Sequence, residues 1–162
     1  MKKLLSILFL FIVLVSNINA ANSEETTLLT GSVTMVPKSF YGTWRVSAVK
    51  LEGNSQIFKN KTVDVWNLSR TGNVITLYNM YNGAKAEIDV NDASAKHVIF
   101  TKNGKYKQKT LTDRVEMNID GDKFKGYDVL VIKTYVNGAV SKTDRAKYAI
   151  TGEKIGGSAI IE

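Results

Sequence analysis

With 162 residues and a formal charge of +7, the chain is long enough for one domain with its own core, and 44% of it is hydrophobic. It has no cysteine and one histidine, which excludes a disulfide scaffold, thiol catalysis and a metal site built from nitrogen or sulfur ligands. The positive charge is spread along the sequence, so it favours solubility and implies no particular acidic partner.

The chain opens with Met1-Lys2-Lys3 and an apolar run from Leu4 to Val15 broken only by Ser6. A short polar stretch then leads to Ala20. Positive start, apolar middle and small residue at the cut are the order a signal peptidase requires, so residues 1–20 are expected to be a cleavable signal peptide. A membrane span needs about 20 apolar residues, more than this run offers. No cysteine near the cut could carry a lipid. The expected product is exported, periplasmic or secreted, with no stable membrane anchor. Cleavage removes Lys2 and Lys3 and no acid, which takes the formal charge from +7 to +5.

Residues 21–39 read as a polar leader, with Leu28–Val36 as a strand or extended arm ended by Pro37, the only proline. From residue 40 to 155 the pattern is all-β. Runs rich in β-branched and aromatic residues cover Tyr41–Leu51, Lys61–Ser69, Asn73–Tyr81, Ala84–Val90, Ala95–Lys102, Tyr106–Ile119, Lys123–Val136 and Val140–Ile155. Between them stand Glu52-Gly53-Asn54, Gly72-Asn73, Asn82-Gly83, Asn103-Gly104, Asp120-Gly121 and Asn137-Gly138. Such dipeptides supply the positive φ angles of tight hairpins. The best helical candidate is a single turn at Ser55–Lys59. Residues 156–162 read as a tail.

Several runs alternate strictly. Val115, Met117 and Ile119 share one face while Glu116 and Asn118 share the other, which gives one dry and one wet side. Val129-Leu130-Val131-Ile132 is apolar on both. Eight or nine short-linked strands predict an antiparallel up-and-down meander closed into a barrel, with a sandwich as the alternative.

Phe40-Tyr41-Gly42-Thr43-Trp44 at the start of the domain resembles the opening of lipocalin-like and fatty-acid-binding-protein-like (calycin) barrels, where Gly-x-Trp begins the first strand. The resemblance implies that Gly42 and Trp44 close one end of the barrel. It also implies an arginine of the last strand over the tryptophan ring, a part that Arg145 could take. The chain departs from those families in lacking a helical pair after the first strand and a C-terminal helix.

A ligand-carrying barrel of this kind holds a small, partly apolar molecule. Trp66, Tyr78, Tyr81, Tyr127 and Tyr135 are the candidate ligand-binding residues, since such side chains at a barrel mouth suit an amphipathic ligand. No catalytic residue, metal ligand or cofactor motif stands out. His97 lacks a nucleophile elbow, and Asn118-Ile119-Asp120-Gly121-Asp122 lacks the spacing of a calcium loop. Lys102, Lys105, Lys107 and Lys109 around Asn103-Gly104 read as a solvated hairpin tip, with no nucleic-acid motif beside them. The sequence therefore predicts an exported, non-enzymatic binding protein. The alternative is a protein-interaction or inhibitor module with a solid core.

Overall fold

A computed structural model describes residues 33–157 and the backbone at 160–161. The signal segment 1–20 and the leader as far as residue 32 lie outside the described residues. Of the expected arm over 28–36, only the last four positions are described, and at 33–35 the backbone is helical rather than extended. Val33 and Val36 are buried in the core of the domain, and a 3-10 turn, Lys38–Phe40, leads into the first strand.

Among the described residues nine strands follow: β1 (Gly42–Gly53), β2 (Lys61–Thr71), β3 (Val74–Asn79), β4 (Lys85–Ala93), β5 (His97–Tyr106), β6 (Lys109–Asp120), β7 (Lys123–Val136), β8 (Ala139–Gly156) and β9 (Ile160–Ile161). β1 to β8 each pair antiparallel with their sequence neighbours, and β8 pairs with β1. This is a closed eight-stranded up-and-down barrel, not a sandwich. β9 adds a short parallel pairing to the end of β2. Closure leaves β1–β8 without an open edge.

Local chemistry explains the hairpins. Asn137 and Gly138 take φ of 52° and 80°, as a two-residue turn with both central residues left-handed demands. Gly72 and Gly121 take φ of 57° and 59° in the β2–β3 and β6–β7 turns. The β5–β6 turn departs from expectation. Asn103-Gly104 lies inside β5, and the chain reverses at Lys107-Gln108, with Lys107 at φ 52°. Hydrophobic phase decides this register. Turning at 103–104 would set Lys105, Lys107 and Lys109 opposite Lys102, Phe100 and Val98, on the inward face. The observed register pairs Phe100 with Val115 and Val98 with Met117.

The interior has two unlike halves. The end where β1 begins is closed: Phe40, Tyr41, Trp44, Phe100 and Phe124 are essentially inaccessible. Their rings meet edge to face, with Trp44 and Phe124 centroids 5.2 Å apart and Phe40 and Phe100 5.8 Å apart. Two glycines make room. A Cβ on Gly152 would fall on the Phe124 ring, and one on Gly42 (φ 127°) would meet the Gly156 and Gly157 carbonyl oxygens at 2.8 and 2.6 Å. The far end, called here the mouth, gathers the β1–β2, β3–β4, β5–β6 and β7–β8 connections. Charged residues enter the interior there.

Candidate functional site

At the closed end Trp44 Nε1 donates to the Phe40 carbonyl at 2.9 Å. The cation over its ring is Lys154, with Nζ 4.8 Å from the centroid and also donating to the Ser39 carbonyl at 2.7 Å. Lys154 pairs with Trp44 in the β1–β8 ladder. Burial pulls its ammonium below the ordinary lysine value. Arg145, expected in this place, pairs with Val131 on the outward face near the mouth and is exposed. Its strand position is right for β8, but it is one residue out of phase for the interior and too near the other end.

In the mouth half, strand alternation turns Asp64, Lys102, Asp113, Asp128, Asp144 and Tyr148 inward. Lys102 and Asp113 are directly opposed across β5–β6 and form an ion pair. Lys102 Nζ also lies 5.6 Å from the centroid of Trp66, a buried residue of β2. Burial alone would lower the Lys102 ammonium, but Asp113, Asp128 and Asp64 more than offset it and hold its pKa above the ordinary value. Asp64 accepts from Asn79 Nδ2 at 3.1 Å. Asp128 stands opposite Tyr148 in the β7–β8 ladder and diagonally beside Asp113. Burial first, and then the Asp113 charge, push the Asp128 carboxyl well above the usual carboxylate range.

Asp113 and Asp128 are 1% and 7% exposed, and the Oδ1 atom of each is buried without a hydrogen-bond partner. Burial and the neighbouring Asp113 carboxyl favour the protonated form of Asp128, which can donate a hydrogen bond where a carboxylate cannot. The cluster is Lys102, Asp113 and Asp128, with Asp64 at its edge.

The β1–β2 loop covers this site. Phe58 is 7% exposed and belongs to the core. The loop is held by Lys50 Nζ donating to the Phe58 carbonyl (2.8 Å), Tyr148 Oη donating to the Lys59 carbonyl (2.9 Å) and Asn54 Nδ2 donating to the Thr143 carbonyl (3.0 Å). At the rim, Asp144 pairs with Lys142 at 2.8 Å, and hydrogen bonds from Lys142 lead the effects that lower its pKa. The expected helical turn at Ser55–Lys59 is a plain turn at 56–57.

Of the aromatic candidates, only Trp66 lies in the interior. Tyr78, Tyr81 and Tyr127 are 40%, 65% and 44% exposed, and Tyr127 lies under Lys147 Nζ at 4.6 Å. Tyr135 lines an open cleft of about 480 Å³ at the ends of β5–β7, with Asn103, Gly104, Lys105, Thr110, Leu111, Thr112 and Lys133. The structure thus does not bring the five together. His97 sits near the closed end, 3.5 Å from Asp92 and 3.4 Å from Glu116. Among the described residues no group of acidic, histidine or cysteine side chains is arranged to hold a metal.

The overlooked residues carried a signal. In β6 the inward series reads Leu111, Asp113, Val115, Met117, Ile119, and in β7 it reads Phe124, Gly126, Asp128, Leu130, Ile132. One aspartate interrupts each dry face. The barrel is compatible with calycin architecture, but comparisons with protein-family models, characterised proteins and solved structures found no match.

Proposed function

We propose that this chain is an exported, non-catalytic calycin-like protein that binds one small, partly apolar molecule in the mouth half of its barrel. One observation carries the reading: buried carboxylates enter the interior in the mouth half only, beside the Lys102 ammonium and the Trp66 ring, while the other half is filled by packed aromatic rings. A barrel serving only as a rigid scaffold gains nothing from burying Asp113, Asp128 and Lys102, because apolar residues of similar size would be at least as stable. Binding sites use such a combination, apolar walls with a few converging polar groups. The ligand lies against Trp66, with polar atoms toward Lys102 and the Asp113 and Asp128 carboxyls. Phe58 fills the place of its apolar part in the free protein, and the 54–60 loop is the gate. The sequence pattern of residues 1–20 supports export.

Titration with the neutral fluorophore N-phenyl-1-naphthylamine tests the site. Phe58→Ala is expected to bind it about tenfold or more tightly than the parent, since a competing phenyl group worth roughly 2 kcal/mol of apolar burial is gone. Equal and negligible binding by both proteins would favour the solid-core interaction module instead.

A further inference from the structure

We propose that the mouth end of the barrel docks on an anionic lipid surface. This goes beyond ligand binding and does not depend on it. Two independent features meet at this end. The first is charge. Residues 103–111 and 131–143, which form the tips of the β5–β6 and β7–β8 hairpins, contain Lys105, Lys107, Lys109, Lys133 and Lys142 and no carboxylate. Of the nearest acids, Asp113 is turned inward and paired with Lys102, and Asp144 holds Lys142 in an ion pair, which leaves Lys105, Lys107, Lys109 and Lys133 as the charges of this surface. The two hairpins are joined by the Tyr135 N–H donating to the Gln108 carbonyl at 2.7 Å, so the lysines form one surface.

The second feature is apolar. All four mouth connections carry exposed hydrophobic side chains at or beside their tips: Ile57, Met80 and Tyr81, Tyr106, and Val136 with Val140. Their exposure runs from 39% for Tyr106 to 65% for Tyr81. An apolar tip ringed by lysines is the chemistry of an interfacial contact, in which the side chains enter the boundary layer and the ammonium groups meet headgroup phosphates. The cleft between Lys105 and Lys133, lined by Thr110, Thr112 and Tyr135, offers hydroxyls as well as charge to such a headgroup. Aliphatic Ile57, Met80, Val136 and Val140 gain from a lipid and give a nucleic acid nothing to stack on. The two basic stretches also contain no arginine.

Because the chain has no cysteine, one label can report on one position of the full-length protein. Val136→Cys, carrying an environment-sensitive fluorophore, is mixed with vesicles of 30 mol% phosphatidylglycerol in phosphatidylcholine. The emission is expected to shift to the blue, and the same label on Asn73→Cys, in the β2–β3 turn at the closed end, is expected to stay unchanged. Lys105→Glu with Lys107→Glu, both on exposed positions, is expected to raise the lipid concentration for half-maximal shift at least tenfold. An unshifted Val136 label, equal shifts at both labels or a charge-reversed protein that binds as the parent does would each overturn the proposal. So would preference for duplex DNA over the anionic vesicles in direct competition, which would make the lysine surface a nucleic-acid contact.

Discussion

Asp128 is the residue on which the chemistry of the interior turns. Its folded-state pKa lies above its unfolded value, because burial and Asp113 both oppose ionisation. The contribution to stability is therefore complete below the unfolded pKa and is lost as pH rises through the raised one. Asp144 acts in the opposite sense: its lowered pKa stabilises the fold above the unfolded value and fails as pH falls. Asp128→Asn keeps a donor toward Asp113 and removes the titration. Chemical denaturation between pH 5 and 8 is expected to show a smaller decline in stability for this variant than for the parent; an equal or steeper decline would count against the raised Asp128 pKa. Lys102→Met leaves Asp113 buried without its cation and is expected to cost about 3–5 kcal/mol, most of it recovered by adding Asp113→Leu. Urea denaturation of the single and double variants measures both.

The elements show what local sequence could and could not convey. β-branched runs separated by Gly-containing dipeptides made the meander legible, and the β7 limits agree with those read from sequence. Asn103-Gly104 misled because a turn dipeptide is a local preference, whereas strand register answers to the whole inward face, and three lysines would have been buried. That same misplacement hid Lys102 at the end of a shortened strand. Asp113 and Asp128 sat in correctly read strands, but averaging over a run conceals one polar residue on its dry side. An aromatic composition does not fix a face, and among the aromatic site candidates only Trp66 has the inward parity. At Gly152 the constraint was beyond local reading, since it comes from the Phe124 ring of the neighbouring strand. Gly152→Ala is expected to destabilise the barrel by about 2 kcal/mol or more through overpacking. Thermal unfolding of this variant, and partial recovery with Phe124→Leu, tests that contact.

At the scale of the whole molecule, the barrel divides its work between its ends. Trp44, Phe124 and Lys154 make one end a plug, and the buried carboxylates at the other end mark the proposed site. Apolar residues point in and most charged ones point out, the reverse of a membrane-spanning barrel, so contact with lipid would be made by the mouth rim alone. The Gly-x-Trp opening marked the plug, while nothing so compact marked the mouth, whose residues are drawn from β2, β3, β5, β6, β7 and β8. The most direct test of a binding site there is residue-resolved NMR of the Phe58→Ala protein titrated with N-phenyl-1-naphthylamine. Saturable amide shifts concentrated at Trp66, Lys102, Asp113, Asp128 and Tyr148, with Trp44 and Phe124 undisturbed, are the expected result. Shifts confined to the outer cleft at Asn103, Thr112 and Lys133, or none that saturate, would contradict it.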